Sequence, residues 1–374
     1  MKEIAFDDIF KKAYEEKVPD FRKHLNVALV GKVSSGKSSL LNAILGRDRS
    51  SPIAQVGAPS GVTTKVTAYR LDKQVLIVDC PGLDDVRNEN AAETKGFLDS
   101  IDVGLFVITG SADASQKESY EDVKRSAKKV IVILNKIDEW DDHKESALRA
   151  VIVQWQSALG ADKIFGTCTK GYDPEMRQSA KMDIRGVEEV KEELFGFLAK
   201  EGKALLFAKH LKDKDKYAIG IIATALASVA VEAFIPGSAA YITATQVVSI
   251  SSLYYLYTGE VLSKSTALAL LPSFLGQRIG MTAFLWAKSF LPPNGIVDVA
   301  AAGVAAVITF AMLAAVRWTL ANGHTLEPSS DRLKKAFDKF MVIGEALKTL
   351  SVDDLKSKAS IAKLLQRLLS TGAS

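Results

Sequence analysis

The stretch "GKVSSGKSSLLNAILG", residues 31–46, decides the fold of the N-terminal half of this chain. An apolar run, "LNVALV", precedes it, and a leucine-rich helical pattern ends it. Gly31 to Ser38 fit the pattern G-x-x-x-x-G-K-S, whose glycines let backbone N–H groups surround phosphate oxygens at the positive N-terminus of a helix. We therefore expect a strand, a phosphate-binding loop and a helix in this order.

Further apolar runs alternate with helix-length polar segments up to about residue 200. The runs are "VTAYRL", "QVLIVD", "DVGLFVIT", "KVIVILN" and a weaker "KIFGTC". Buried strands separated by helices are typical of a doubly wound α/β sheet. We expect its helices at residues 37–45, 91–100, 116–127, 142–158 and 187–199.

Two motifs contribute to phosphate chemistry. Lys37 would reach the β- and γ-phosphates of a nucleotide, and the Ser38 hydroxyl would ligate Mg²⁺. In "VLIVDCPGLDD", Asp79 follows a buried strand and would hold Mg²⁺ through water, while the backbone N–H of Gly82 would sense the γ-phosphate. These residues predict a nucleoside triphosphate site with a magnesium ion, without choosing the base.

The run "VIVILNKIDEW" indicates which nucleotide base is bound. It ends a predicted strand with Asn135, Lys136 and Asp138. The Asp138 carboxylate would accept hydrogen bonds from the ring N–H and the exocyclic amine of guanine, whereas adenine presents the opposite pattern. Sites built on buried hydrogen bonds reject a mismatched ligand by about 10⁴-fold, so the sequence predicts a guanine nucleotide.

These segments resemble the G1, G3 and G4 motifs of the translation-factor class of P-loop GTPases, in the Era-like and dynamin-like neighbourhood. The resemblance covers about residues 25–200 and implies a Ras-like domain that binds GTP or GDP with Mg²⁺. By the same resemblance the nucleotide is bound by the G1, G3 and G4 residues Gly31, Ser34, Ser35, Gly36, Lys37, Ser38, Ser39, Asp79, Gly82, Asn135, Lys136 and Asp138.

The resemblance also implies two weaker motifs. The G2 threonine, which closes on Mg²⁺, lies in "GAPSGVTTKVT" and is Thr63 or Thr64, with Thr64 preferred. The G5 segment is "GTCTKGYD", in which Thr167, Cys168 and Thr169 would line the base edge; an ordinary loop is the alternative. The implied metal ligands are thus Ser38, Thr64 and, through water, Asp79, and the implied catalytic groups are Lys37, Ser34, Thr64 and Gly82.

Two departures bear on turnover. Leu83 stands directly after the G3 glycine, where Ras-like proteins carry the glutamine that orients the attacking water. Hydrolysis should therefore be slow, or be completed by another loop, a monovalent cation or a partner. Ser34 stands where potassium-activated Era-like relatives carry asparagine; serine there resembles dynamins, which implies help from a homodimer across the nucleotide face.

The second half of the chain is strongly apolar. Residues 299–316 are 18 uncharged residues, while an earlier apolar region is interrupted by Glu232, Pro236 and Gly237. Its helices fit the centre of a soluble bundle, a helical hairpin in a bilayer, or an exchange between the two. Residues 217–321 resemble a helical domain of unknown function found behind G domains in bacterial stress-associated proteins, and loosely that of immunity-related GTPases.

We accordingly divide the chain into an N-terminal amphipathic helix (1–24), the GTPase domain (25–200), an all-α apolar domain (201–330) and C-terminal amphipathic helices (331–374). The terminal helices either dock on the helical domain, which we favour, or bind a lipid surface. The N-terminus lacks the apolar core of a secretory signal, and both cysteines lie inside nucleotide motifs. We therefore expect a cytoplasmic protein, peripheral to a membrane or reversibly inserted in it.

Three hypotheses of function follow. The first is a GTP hydrolase whose nucleotide state controls self-association and docking of the helical domain at a membrane surface. The second is a slow GTP-gated switch that recruits a protein partner without lipid. The third is a membrane transporter or channel gated by the GTPase domain. Since no basic stripe with interleaved aromatic residues follows the domain, we expect no nucleic-acid partner.

Overall fold

A computed structural model describes residues 6–54, 66–83, 97–172, 176–177, 179–275, 295–328 and 330–371. The chain forms two compact units. Residues 22–212 make up one, here the sheet unit; residues 1–21 together with 213–374 make up the other, here the helical unit. The four-part division drawn from the sequence stays a prediction.

The described part of the sheet unit contains a six-stranded sheet in the order β2-β3-β1-β4-β5-β6. Neighbouring strands are parallel except for β2, which pairs antiparallel with β3. This mixed α/β sheet confirms the predicted fold class. The strands are β1 (Leu25–Val30), β2 (Thr67–Arg70), β3 (Val75–Cys80), β4 (Ile101–Ile108), β5 (Ala127–Leu134) and β6 (Ile164–Gly166).

Helices cover this sheet. After α1 (Phe6–Lys17), which belongs to the other unit, come α2 (Lys37–Ile44), α3 (Ala114–Ser126), α4 (Glu145–Leu159), α5 (Val187–Lys200) and α6 (Ala204–Ala208). Every residue of β3 and β4 is buried, as expected for strands with both faces covered. A short antiparallel pair, β7 (Cys168–Lys170) and β8 (Asp183–Arg185), follows β6 and was not predicted from the sequence.

The described part of the helical unit is all helical. It contains α1, α7 (Asp215–Glu232), α8 (Ser238–Thr258), α9 (Lys264–Leu275), α10 (Gly295–Ala321), α11 (Asp331–Gly344), α12 (Val352–Lys356) and α13 (Lys358–Thr371). α10 packs against α7, α8 and α11, and α1 packs against α8. The last two helices, α12 and α13, pack against α7.

A proline–glycine turn joins α7 to α8. Gly237 has a φ of +77°, and a Cβ atom there would lie 2.9 Å from Ile9 Cδ1 of α1. The left-handed backbone therefore favours glycine, and a larger residue there would also have to displace the end of the Ile9 side chain. The chain turns where Pro236 and Gly237 predict the end of one helix.

Within the described residues, α10 is the one helix whose length and composition would let it cross a membrane. In its most apolar window 78% of the residues are buried among the other helices. A buried core helix and a membrane span meet the same criteria of length and composition.

Candidate guanine nucleotide site

The loop between β1 and α2 follows a path that only glycine allows at two positions. A Cβ atom on Gly31 would lie 2.1 Å from the carbonyl oxygen of Val107. Gly36 has a φ of +87°, and a Cβ atom there would lie 2.2 Å from Asn135 Nδ2. Ser34 is exposed and also has a positive φ, of 63°. The loop thus folds tightly back on itself before α2 begins at Lys37.

Lys37 and Ser38 lie in the first turn of α2, beside the end of β3. The Lys37 ammonium donates hydrogen bonds to the carbonyl oxygens of Gly31 and Lys32, at 2.7 and 3.1 Å, and lies 3.6 Å from Asp79 Oδ1. The Ser38 hydroxyl donates to Asp79 Oδ2 at 3.0 Å. Ser39 follows on the same helix and is partly buried. The loop, the helix start and β3 therefore meet at one place.

The residues at this place fit a magnesium ion. A hydroxyl and a carboxylate oxygen are ligands that Mg²⁺ prefers, and both stand at the carboxyl end of the central strands, where α/β sheets bind ligands. Burial raises the pKa of Asp79, while Lys37 and Ser38 oppose the rise. The predicted third ligand, Thr64 or its neighbour Thr63, lies outside the described residues.

Asn135 joins the phosphate loop to the segment after β6. Its Nδ2 donates to the carbonyl oxygen of Ser35 at 2.9 Å. Its Oδ1 accepts from the hydroxyl groups of Thr167 and Thr169, at 3.1 and 3.2 Å. All four side chains are at least nine-tenths buried, so these hydrogen bonds are shielded from water. The structure thus brings together residues of the predicted G1, G4 and G5 segments.

Asp138 has partners on both carboxylate oxygens. The Cys168 thiol donates to Oδ1 at 3.4 Å, and the Lys170 ammonium lies 3.2 Å from Oδ2. Burial raises the pKa of Cys168 to about 11, which keeps the thiol protonated and able to donate. The preceding Lys136 has a left-handed φ of 63°, which begins the turn that carries Asp138.

Lys170 is a site residue that the sequence reasoning missed. It lies two positions after Cys168 on β7, and alternate residues of a strand share a face. That spacing could have identified it, had the short strand been recognised.

The segment after β3 holds Gly82 and Leu83. Gly82 is partly buried, next to the strand that carries Asp79. The Leu83 side chain is 1% exposed and packs in the hydrophobic core of the sheet unit, with residues such as Val78 and Phe106. Residue 83 therefore supplies packing in this structure, and it supplies no polar group to the site.

Comparison with known proteins gives the following matches. Residues 26–136 match the model of a family described as 50S ribosome-binding GTPase. GTPase Der of a Nitratiruptor species is 30% identical over 159 residues, covering 40% of this chain and 33% of the relative. The tRNA modification GTPase MnmE of Lawsonia intracellularis is 24% identical over 188 residues, covering 49% of this chain and 37% of the relative.

Among solved structures, one titled LeoA bacterial dynamin GTPase from ETEC aligns with 99% of this chain and 90% of its own, at 13% identity and a TM-score of 0.33. The chain spans about a third of the length of the curated relatives it matches. Together the family match and the sheet topology give the sheet unit the fold of a Ras-like GTPase domain.

Proposed function

We propose that this protein binds GTP and hydrolyses it to GDP and phosphate. The observation that carries the proposal is the Asn135 side chain, which links the phosphate loop at Ser35 to the segment beside Asp138. A guanine base on Asp138 and phosphates in the loop are thereby held at a fixed separation. The GTPase relatives of residues 26–136 support the same activity.

In the proposed reaction, water attacks the γ-phosphorus in line with the leaving group. A bond forms from the water oxygen to phosphorus, the bond to the β–γ bridging oxygen breaks, and GDP leaves with that electron pair; the water proton passes to phosphate or solvent. Lys37 and the loop N–H groups stabilise the charge on the phosphate oxygens. Ser38, Thr64 and, through water, Asp79 would hold a magnesium ion, which would neutralise charge on the β- and γ-phosphates.

A second copy of the chain is the proposed source of missing catalytic help. Leu83 is buried in the core and cannot orient the attacking water. Ser34 is exposed on the phosphate loop, with a backbone conformation that turns it out of the helix that follows. We expect dimerisation across this face to order Ser34, Thr64 and Gly82; a monovalent cation at the same place is the alternative.

Hydrolysis at rising protein concentration tests this proposal. We expect the turnover per molecule to increase with concentration if copies assist one another. Lys37→Ala should abolish it, whereas Lys32→Ala, which removes a surface ion pair with Asp113 from the same loop, should not. GTP hydrolysis by the Lys37→Ala protein at the wild-type rate would contradict the catalytic assignment.

We further propose that this protein is cytoplasmic and that its nucleotide state controls docking of the helical unit at a membrane surface. The support is the pairing of a nucleotide site with an unusually apolar helix, α10. Flotation of purified protein with liposomes, loaded with GDP or a non-hydrolysable GTP analogue, tests it. Absence from lipid in both states would favour the second candidate, a slow GTP-gated switch that docks a protein partner.

Two other hypotheses stay open to test. An integral channel or transporter would resist extraction by carbonate, and we expect extraction. The name of one relative refers to tRNA modification and the family description to the ribosome. We propose that this chain has no nucleic-acid partner. RNA binding in a gel-shift assay would contradict this proposal.

A further inference from the structure

The chain passes between the two units twice, and one side chain binds near both crossings. The crossings lie between Phe21 and Arg22 and between Lys212 and Asp213. In the sheet unit, Gln74 Nε2 donates to the carbonyl oxygen of Lys23 at 3.0 Å, and Gln74 Oε1 accepts from Lys209 Nζ at 3.1 Å. The Gln74 carboxamide therefore ties the incoming chain to the outgoing chain.

Gln74 belongs to the bend at residues 72–74, which joins β2 to β3. Asp72 Oδ1 accepts from the backbone N–H groups of Gln74 and Val75, at 2.7 and 2.9 Å. Asp72 Oδ2 lies 2.5 Å from Lys209 Nζ and 3.1 Å from His210 Nε2. One carboxylate oxygen thus fixes the bend, and the other fixes the outgoing chain to it.

β3 and α2, which carry residues of the nucleotide site, contact the bend and the outgoing chain at their ends away from the site. β3 begins directly after the bend and ends beside the site, with Asp79 in its fifth position. α2 begins at Lys37, and beyond its end Leu45 O accepts from the Lys212 N–H at 3.0 Å. Arg47 donates to the carbonyl oxygen of His210 at 2.9 Å. A buried strand and a helix are rigid enough to transmit a displacement along their length.

In the helical unit, both crossings are anchored on the last turn of α8. The Phe21 ring packs on the Tyr255 ring with 4.6 Å between centroids. Lys214 donates to the carbonyl oxygen of Tyr257 at 3.3 Å. Each crossing therefore has one residue between its anchor in one unit and its anchor in the other: Arg22 lies between Phe21 and Lys23, and Asp213 lies between Lys212 and Lys214.

We propose that the bend at residues 72–74 is the coupling element through which the nucleotide site regulates the helical unit. The inference rests on the proposed function, because it requires a nucleotide-dependent change at Asp79 and α2. A shift of β3 would move Asp72 and Gln74, and with them both crossings and the end of α8. Asp72 and Gln74 act here as positioning residues, outside the nucleotide site.

Hydrogen–deuterium exchange on the full chain, with GDP or with a non-hydrolysable GTP analogue, tests the coupling. Wild type should show a nucleotide-dependent difference in α8. Gln74→Ala should reduce that difference by at least about twofold while leaving nucleotide affinity unchanged. Asp72→Asn should do the same, and it keeps the acceptor that forms the bend, so its fold is preserved. Lys73→Ala, an exposed position between the two, should behave as wild type.

The outcomes separate this inference from the function on which it rests. Absence of GTP binding in wild type would overturn the proposed function and the coupling together, and binding without hydrolysis would overturn the proposed function alone. Hydrolysis in wild type without any nucleotide-dependent exchange in α8 would overturn the coupling alone. The same follows if Gln74→Ala and Asp72→Asn both keep the full difference.

Discussion

Asp138 is the residue on which we propose that base selection depends. Both of its oxygens accept hydrogen bonds within the chain, from Cys168 and Lys170, so the carboxylate is already oriented as an acceptor. Guanine offers two donors to such a group. An asparagine at this position would turn one acceptor into a donor.

We therefore predict that Asp138→Asn weakens GTP binding by about 100-fold, since hydrogen bonds to charged groups contribute about 1.5–3 kcal/mol each. Binding of xanthosine triphosphate should improve, because its extra carbonyl accepts from the new amide. Titration with both fluorescent nucleotides measures this. Asp141→Asn, which alters an exposed ion pair with Arg185, is the matched control. Unchanged GTP affinity in the Asp138 variant would remove this residue from the base site.

Leu83 is a residue whose role changes between sequence and structure. By position it stands where related proteins orient water, and by structure it fills the core. We predict that Leu83→Gln fails to accelerate hydrolysis and destabilises the sheet unit by about 1–3 kcal/mol, the cost of an unsatisfied buried amide. Thermal unfolding measures the loss of stability, and single-turnover hydrolysis measures the rate. Leu83→Met should cost less than about 1.5 kcal/mol; faster hydrolysis by the glutamine variant would show that residue 83 reaches the water.

At the scale of elements, long periodic segments were predictable and short ones were not. The apolar run at residues 25–30 is β1 to the residue, because five of its six residues are apolar and buried. The helix predicted from residue 142 begins at Glu145, since a 3₁₀ turn at Ile137–Trp140 precedes it. β7 and β8 have three residues each, too few for a period, and Lys170 was missed with them.

The same limit applies to the site. The order of motifs along parallel strands predicts that Lys37, Asp79 and Asn135 meet at one edge of the sheet. The hydrogen bond from Asn135 to the Ser35 carbonyl depends on how the loop folds back, and no sequence pattern specifies that. The burial of Leu83 depends likewise on tertiary packing.

A charge cluster fixes the opposite end of the sheet. Asp102, near the start of β4, accepts from Lys203 and Lys128 and from the backbone N–H of Asn26, at 2.7, 2.9 and 3.1 Å. Burial by itself would raise the pKa of Asp102, but the hydrogen bonds from the two lysines outweigh it and lower the pKa. The carboxylate therefore stabilises the folded sheet unit when it is ionised.

We predict that Asp102→Asn destabilises the sheet unit at neutral pH by about 1–3 kcal/mol, less than a fully buried pair because Lys128 is half exposed. A depressed folded pKa gives stability that is present above the unfolded value, about 3.9, and is lost as the pH falls through the folded value. The gap between wild type and variant should therefore close below about pH 4. Denaturant unfolding across this range measures it, and a gap that stays constant with pH would contradict the assignment.

At the scale of the whole molecule, one helical unit is built from the two ends of the described chain. α1 packs on α8, and Lys17 of α1 forms an ion pair with Glu232 at the end of α7. Thr245 of α8 joins them, accepting from Lys17 at 2.6 Å and donating to Glu232 at 2.8 Å. The sequence predicted an amphipathic N-terminal helix but gave no partner for it, because the pairing joins residues far apart in the chain.

This buried cluster predicts how the helical unit responds to pH. Burial raises the pKa of Glu232, and Lys17 and Thr245 oppose the rise without cancelling it. An acid whose pKa is higher in the folded than in the unfolded protein destabilises the fold when it is ionised. This penalty is relieved as the pH falls from above the pKa in the folded protein toward the unfolded value of about 4.3. Glu232→Gln, which keeps an acceptor for Thr245, should therefore be at least as stable as wild type at neutral pH, with the two converging as the pH falls.

Lys17→Met should have the opposite effect, because it leaves the ionised Glu232 with Thr245 alone. We predict a loss of stability at neutral pH, faster hydrogen exchange in α1 and α8, and recovery of both at lower pH or in the double variant with Glu232→Gln. The nearby exposed Lys12→Met is the matched control, expected to behave as wild type at every pH. If Lys17→Met leaves the exchange of α1 unchanged at neutral pH, the ion pair does not hold this helix in place, and the contacts of Phe10 and Ala13 would have to hold it alone.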